Sequence, residues 1–114
     1  MLSSIMQTPL MARGPIPLHP ESQEAVGRRL EAFRKAIGAR QEELTKLLGG
    51  ERNSLWANYE AGERRISLDR ALILCREFGL TLEWIYRGHK HYLPDELREK
   101  IRVQELLAER KARS

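Results

Sequence analysis

The side chains best suited to covalent or metal chemistry in this 114-residue sequence are one cysteine and three histidines. A single cysteine, Cys75, excludes an internal disulfide and any cysteine-rich zinc site. Its spacing places it on the inward face of a predicted helix, whereas a reactive thiol needs an exposed, polarised setting with a histidine nearby. His89 and His91 lie in a predicted loop, and two histidines without a third ligand are a weak metal signal. We therefore predict no metal site.

Other signatures of catalysis are also absent from the sequence. It has no glycine-rich phosphate loop, no nucleophile elbow and no pair of carboxylates in an evident pocket. The sequence therefore predicts a protein that is not an enzyme, with no catalytic residue, no cofactor and no evident small-molecule ligand.

The charged residues suggest an acidic partner without establishing one. Twenty Lys and Arg against sixteen Asp and Glu leave a net charge of +4. This charge is spread along the chain, and its largest local excess is in residues 28–40, where five basic residues oppose Glu31 alone. Nucleic acid is the acidic partner that such a balance fits. No apolar run approaches the roughly 20 residues that cross a bilayer, so we expect no membrane partner.

Apolar residues recur at helical spacing through most of the chain, and no segment alternates like a strand. Capping residues mark the predicted helix starts and glycines mark most of the ends. The predicted helices run from Ser22 to Gly38, from Gln41 to Gly49-Gly50, from Arg52 to Glu60, from Ser67 to Gly79, from Thr81 to Gly88, and from Pro94 to about Arg110. The predicted fold class is therefore all-α.

The same spacing predicts which apolar side chains face the interior. In the fifth helix, either Trp84 or Tyr86 is expected to face the interior together with Leu82 and Ile85. The other expected inward residues are Val26, Leu30, Phe33, Ile37, Leu44, Leu47, Leu68, Ala71, Leu72, Cys75 and Phe78, with Leu48 as a further candidate in the second helix.

The chain divides into three predicted parts. Residues 1–20 contain four prolines and little apolar periodicity, which favours a mobile N-terminal arm and not a signal peptide. Residues 21–92 form the main helical domain. Residues 93–114 form a C-terminal helix whose apolar residues exceed what one edge of a bundle would cover. That helix is either a dimer element or a packed helix with a frayed end.

Several short stretches occur in an order and spacing typical of one protein family. They are Gly27-Arg28-Arg29-Leu30 with Phe33-Arg34, Gln41-Glu42-Glu43-Leu44, Trp56-Ala57-Asn58-Tyr59-Glu60-Ala61-Gly62-Glu63-Arg64-Arg65, Ser67-Leu68 through Leu74, and Leu80 through Gly88. Together, residues 25–88 resemble the DNA-binding domain of phage Cro and lambda-type repressors, the family often called XRE-like. The resemblance implies a compact five-helix bundle with a helix-turn-helix, followed here by the C-terminal helix.

The resemblance implies base contacts from the outward side of the third helix. Family members have one residue fewer between the Gln-Glu-Glu-Leu start of helix two and the Tyr-Glu end of helix three. Positions are therefore counted back from Glu60. The residues that match family base readers are Arg52, Asn53, Ser54, Ala57 and Asn58. Arginine suits guanine, asparagine suits adenine, and alanine reaches only a thymine methyl. Ser54 can reach either a base or a phosphate, and Asn58 fits a phosphate contact equally well.

The resemblance also implies contacts to phosphates. Gln41, at the start of helix two, matches a family position that hydrogen-bonds the DNA backbone. Arg64 and Arg65, just after helix three, are candidate phosphate contacts and are equally well explained as solvated charges. Arg40 is better explained as a solvated charge.

Two further matches are structural. Trp56 falls at the buried position of helix three, where its N–H must find a partner or reach the surface. Glu60 commonly pairs in the family with an arginine of helix one, and Arg34 is the matching residue.

The resemblance implies a sequence-specific double-stranded DNA-binding transcriptional regulator of prophage or bacterial type, located in the cytoplasm at the nucleoid. A homodimer on a two-fold site is expected, because one such domain makes few base contacts. One alternative is the antitoxin of a toxin–antitoxin pair, with a tail that grips the toxin. Another is a protein-interaction adaptor that kept the fold and lost DNA affinity, which the near-neutral charge of residues 51–65 leaves open.

Overall fold

The computed structural model describes residues 18–113, and six helices lie within this range. They are α1 (Gln23–Ile37), α2 (Gln41–Leu47), α3 (Leu55–Glu60), α4 (Leu68–Phe78), α5 (Leu82–Arg87) and α6 (Asp95–Arg113). This range contains no strand, so the all-α prediction is confirmed for it. The predicted mobile arm lies outside the described residues except for its last three. None of the six helices combines the length and the apolar character that a membrane span requires.

Helix ends coincide with the predicted caps. The hydroxyl oxygens of Ser22 and Thr81 accept hydrogen bonds from backbone N–H groups three residues on, each at 3.1 Å. These bonds satisfy donors that the first turn of a helix leaves free. At the ends of α1 and α4, Gly38 and Gly79 have φ values of 73° and 79°, a region that favours glycine.

Two predicted burials are wrong. Leu47 is 39% exposed because the inner face of α2 passes through Leu44 and Leu48. Leu68 is 55% exposed because it is the first residue of α4, before the turn that reaches the core at Ala71. Both leucines lie within one turn of the buried face, so apolar spacing alone does not separate them from it.

The core is built around two tryptophans with no exposed surface, Trp56 and Trp84. The ring of Phe33 lies 6.4 Å from that of Trp56 and 5.1 Å from that of Phe78, measured between centroids, so it packs between α3 and α4. In α5, Trp84 is buried completely and Tyr86 only in part. Within residues 18–113 the indole N–H of Trp84 has no hydrogen-bond partner, which leaves a buried donor unsatisfied.

A buried arginine of α1 connects two distant segments of the chain. Arg29 is 9% exposed, and its guanidinium donates to the carbonyl oxygen of Ile85 at 3.1 and 3.0 Å and to that of Pro20 at 2.6 Å. Removal from water lowers the pKa of Arg29. Because Ile85 belongs to α5 and Pro20 precedes α1, this contact holds both segments against the middle of α1.

α1 is the central helix, and it packs against α3, α5 and α6. Its contact with α3 is closest at Gly27. A Cβ atom on Gly27 would lie 2.3 Å from the carbonyl oxygen of Tyr59 and 2.8 Å from that of Glu60. Backbone atoms cannot rotate away as a side chain can, so a larger residue would displace α3 from α1.

Replacing Gly27 with alanine is therefore expected to lower the free energy of unfolding by about 3 kcal/mol or more, at or beyond the upper end of typical overpacking costs. Urea unfolding followed by circular dichroism measures this change. Arg28→Ala, at the adjacent exposed position, is the control and should change stability by no more than about 0.5 kcal/mol. An unchanged unfolding midpoint in Gly27→Ala would contradict the close approach of α1 and α3.

Candidate nucleic-acid interface

Three helices meet at the carboxylate of Glu60, the last residue of α3. One oxygen accepts a hydrogen bond from Nε of Arg34 at 2.6 Å, and the other accepts from Nη2 of Arg34 at 3.2 Å and from Nε2 of Gln41 at 2.9 Å. The indole N–H of Trp56 also donates to this carboxylate. The side chain of Glu60 is only 6% exposed. We call these four residues the Glu60 junction, and the predicted pairing of Glu60 with Arg34 is confirmed in it.

The Glu60 junction fixes α3 against α1 and α2 through charge as well as packing. Arg34 and Glu60 form two parallel hydrogen bonds, an arrangement that fits the planar guanidinium to the carboxylate. The bond to Glu60 raises the pKa of Arg34. The N–H of Trp56 was expected to find a partner or reach the surface, and its partner is Glu60. The predicted burial of Trp56 is confirmed.

The start of α3 is fixed by α2. Thr45 is 1% exposed, and its hydroxyl oxygen accepts a hydrogen bond from the backbone N–H of Trp56 at 3.1 Å. Ser54, the residue before α3, makes no side-chain capping bond. Thr45 therefore caps α3 from the neighbouring helix, so α2 and α3 are connected at both ends of α3.

The segment between α2 and α3 differs from the prediction. α3 begins at Leu55 and not at Arg52, so Arg52, Asn53 and Ser54 lie in the preceding turn. The physical reason is that Thr45 caps Trp56, which leaves the residues before Leu55 outside the helix. All three turn residues are nevertheless exposed.

The double glycine before this turn has two separate roles. Gly49 has a φ of 73°, which reverses the chain after α2. Gly50 is needed for space, because a Cβ atom there would lie 2.7 Å from Cδ2 of Leu55 and 2.9 Å from Cγ2 of Thr45. Gly49 thus supplies the positive φ of the turn, whereas Gly50 lets the turn pass close to the α2–α3 contact.

The five predicted base readers lie in the turn before α3 and on α3 itself. The backbone N–H of Asn58 donates to the carbonyl oxygen of Ser54 at 2.9 Å, so these two residues are one helical turn apart on the same side. Ala57 and Asn58 are partly exposed on α3. We define the polar face as Arg52, Asn53, Ser54, Ala57 and Asn58.

The predicted phosphate-contacting arginines lie just past the end of α3. The backbone N–H groups of Glu63 and Arg64 both donate to the carbonyl oxygen of Asn58, at 3.0 and 3.3 Å, which turns the chain back beside the polar face. Arg64 and Arg65 are exposed. Across residues 18–113, neither of them nor Arg52 forms an ion pair, so their charges are not neutralised by a neighbouring carboxylate.

The predicted phosphate contact Gln41 is half-buried and already engaged. Its amide nitrogen donates to Glu60, which leaves the second amide hydrogen and the amide oxygen for another partner. Arg40, just before it, is exposed and lies 3.6 Å from Glu42 and 3.7 Å from Glu43. These contacts agree with the interpretation of Arg40 as a solvated surface charge.

Two residues that position the polar face were missed by the sequence analysis. Thr45 could have been found, because it adjoins Leu44 and precedes Leu48 on the inner face of α2. Arg70 of α4 donates from Nε to the carbonyl oxygen of Leu48 at 3.3 Å and from Nη1 to the hydroxyl of Tyr59 at 3.4 Å. No local pattern indicates Arg70, because its partners are distant in sequence.

The cysteine and the two loop histidines lie outside this surface. Cys75 is half-buried on α4 beside the core, and burial raises the pKa of its thiol. Nδ1 of His89 lies 2.9 Å from a carboxylate oxygen of Glu83, and the ring of His91 packs edge-on against Tyr92.

Compared with protein-family models, with curated proteins and with solved structures, the chain gives no match in any of the three.

The Arg34–Glu60 pair is expected to be strongly coupled. Arg34→Leu or Glu60→Gln should each cost about 3–5 kcal/mol, because each removes one partner of a largely buried ion pair. The double variant should cost clearly less than the sum of the two. Urea unfolding of all four proteins gives the coupling energy.

The matched control for this cycle is the exposed pair of Lys35 and Glu31, which are 3.7 Å apart with side chains 46% and 42% exposed. Its coupling should not exceed about 1 kcal/mol. Additive costs for Arg34 and Glu60 would contradict their assigned role in the Glu60 junction.

The thiol of Cys75 should react slowly in the native protein. Because the thiolate is the attacking species, a raised pKa lowers the reactive fraction at any given pH below it. We expect the rate of alkylation by iodoacetamide to reach half its maximum at a higher pH in the folded chain than in the chain unfolded in urea. A native midpoint at or below the unfolded one would oppose this.

Proposed function

We propose that this chain is a sequence-specific double-stranded DNA-binding protein of the Cro and lambda-repressor type, a transcriptional regulator of prophage or bacterial origin. The observation that carries the proposal is the polar face. Its five residues are wholly or partly exposed, and the helix behind it is fixed by Thr45 at one end and by the Glu60 junction at the other. Hydrogen-bonding side chains on a rigid support suit the reading of base edges.

Under the proposal, α2, the turn and α3 are the elements of a helix-turn-helix. The usual turn in this motif has three or four residues, whereas residues 48–54 form a longer one here. Under the proposal α3 enters the major groove with the turn beside it. Arg52 and Asn53 then contact guanine and adenine from the turn, while Ala57 meets a thymine methyl.

Phosphate contacts come from both sides of the polar face. Arg64 and Arg65 follow the end of α3 and carry charges that no carboxylate within residues 18–113 pairs with. Gln41 contributes its remaining amide groups at the start of α2. Such contacts set the position of the protein on the duplex and add affinity that falls as salt rises.

The charge of residues 51–65 favours DNA binding over the adaptor alternative. The segment has three arginines and three glutamates, but Glu60 is buried and paired with Arg34. The exposed charges are therefore three arginines against Glu51 and Glu63, which leaves +1 at the surface. The near-neutral balance seen in the sequence thus overstates the negative charge that a duplex would meet.

Regulation follows from occupancy of the site. A protein bound at an operator blocks polymerase or recruits it, and a homodimer on a two-fold site doubles the base contacts that one domain can make. The cytoplasm, at the nucleoid, is the location that this function requires.

Selection from a random duplex pool at moderate salt tests the proposal. We expect one enriched motif with two-fold symmetry. Asn53→Ala should keep the fold and lower discrimination at one base position by about 1–3 kcal/mol. Arg65→Ala should weaken all sequences alike and reduce the slope of log affinity against log salt by about 0.9.

Arg76→Ala is the control for these variants, since Arg76 is an exposed arginine of α4 outside the polar face. It should leave both the preferred motif and the affinity unchanged. If no duplex is enriched, or if Asn53→Ala retains the fold with unchanged preference and affinity, the assigned base contacts are wrong.

A further inference from the structure

A groove of about 730 Å³ lies between α1 and the last turns of α6. α1 borders it with residues between 28 and 35, and α6 with residues between 102 and 112, about 15 Å of helix. Ala32 and Ala108 leave space between the two helices, because neither side chain extends beyond Cβ. Sites for small molecules usually enclose about 300–1,000 Å³, so the groove has the size of a ligand site.

The groove borders a buried positive charge that has no counter-ion. Arg29 is one of its lining residues and is only 9% exposed. Its hydrogen bonds go to the carbonyl oxygens of Ile85 and Pro20, and no carboxylate within residues 18–113 forms an ion pair with it. Burial lowers the pKa of Arg29 by more than the carboxylate of Glu105 raises it. Buried arginines are usually paired, so this one favours an anion from outside the chain.

Positive charge exceeds negative charge around the groove as a whole. Six of the lining residues are basic and three are acidic. Two of the acids are already engaged, Glu31 by Lys35 at 3.7 Å and Glu105 by Lys90. These carboxylates are therefore occupied by lysines and do not neutralise Arg29.

Two exposed cations beside the groove are also without a partner. Arg28 and Lys111 form no ion pair within residues 18–113. Glu109, the third acid, is unpaired in the same range. With Arg29, three uncompensated cations remain against one free carboxylate, so an anionic ligand would meet net positive charge.

Apolar side chains line the α6 side of the same groove. Leu106 and Leu107 are 44% and 50% exposed, and both border it. An apolar ligand lying along them would remove their surface from water, which contributes about 25 cal/mol for each Å² buried. A ligand of this groove therefore gains from an apolar body as well as from an anionic group.

We propose that the groove binds a small amphipathic carboxylate, with its anionic group held by Arg28 and Arg29 and its apolar body lying along Leu106 and Leu107. A guanidinium suits a carboxylate because its planar fork donates two parallel hydrogen bonds. Nη1 of Arg29 donates no hydrogen bond within residues 18–113, so part of its fork is free. The groove shares no residue with the polar face, and this binding does not depend on the proposed DNA-binding function.

Titration of the full chain with dodecanoate, followed by heteronuclear NMR, tests the proposal. Below its micelle concentration, dodecanoate should saturate one site and shift the amide signals of residues 28–35 and 102–112 most. Acetate has the head group without the chain, and dodecyltrimethylammonium has the chain with the opposite charge. Each should bind at least about tenfold more weakly. Equal binding of acetate would contradict the apolar contribution, and equal binding of the ammonium compound would contradict the role of charge.

Two variants locate the site, and each has a matched control. Ala108→Glu adds volume and negative charge to the groove from an exposed position of α6, and should lower the affinity for dodecanoate about tenfold or more. Arg28→Gln should lower it severalfold. Ala61→Glu and Arg76→Gln make the same changes at exposed positions outside the groove and should leave the affinity unchanged. Circular dichroism of each variant verifies that the helices are intact.

A membrane surface with anionic lipid headgroups offers similar chemistry, and vesicles distinguish it from a free ligand. The chain is sedimented with vesicles of phosphatidylglycerol and phosphatidylcholine. Ala108→Glu should sediment to the same extent as Ala61→Glu, because the groove accepts a free molecule. Vesicle binding that Ala108→Glu removes and Ala61→Glu retains would overturn the free ligand in favour of a lipid surface.

The proposal is overturned if dodecanoate shows no saturable binding, or if Ala108→Glu and Arg28→Gln both leave its affinity unchanged. The proposed DNA-binding function fails separately, in the duplex selection with Asn53→Ala. Loss of one result therefore leaves the other readable.

Discussion

The carboxylate of Glu60 is the interaction on which the geometry of this bundle depends. A charge removed from water must have its oxygens occupied, and here the donors come from α1, α2 and α3 at once. Losing one donor from such a site costs more than the complete set contributes to net stability. Its main effect is therefore to fix the orientation of α2 and α3 relative to the rest of the chain.

That orientation has two further supports, both of them side-chain contacts between helices. Thr45 of α2 caps the first turn of α3 by accepting a hydrogen bond from the backbone N–H of Trp56. Arg70 connects α4 to the carbonyl oxygen of Leu48, just after α2, and to the hydroxyl of Tyr59. The close approach at Gly27 sets the depth of α3 against α1. The residues of the polar face are therefore positioned by contacts that other residues make between the helices.

Local signals in the sequence predicted much of this arrangement. Serine and threonine caps, helix-ending glycines and apolar spacing located the helices, because each depends on neighbours within one or two turns. Burial of Trp56 and the pairing of Arg34 with Glu60 were also predicted, in their case from the resemblance to a family.

Features that depend on distant contacts were not predicted. The start of α3 depends on a hydroxyl in α2, so Arg52, Asn53 and Ser54 were placed in a helix and not in the turn before it. Exposure of Leu47 and Leu68 depends on which side of α2 faces the core and on where α4 begins, and apolar spacing alone does not separate positions within one turn of the buried face. The polar face keeps its five predicted residues, but three of them are carried by a turn.

The two buried tryptophans differ in one respect that has a spectroscopic consequence. The indole N–H of Trp56 donates to a carboxylate, while that of Trp84 has no partner within residues 18–113. The wavelength and intensity of indole fluorescence respond to polarity and to nearby charge. The two indoles are thus in unlike surroundings, Trp56 beside the carboxylate that joins three helices and Trp84 within the apolar core. Changes in their emission can therefore distinguish opening of the structure around Glu60 from opening of the core around α5.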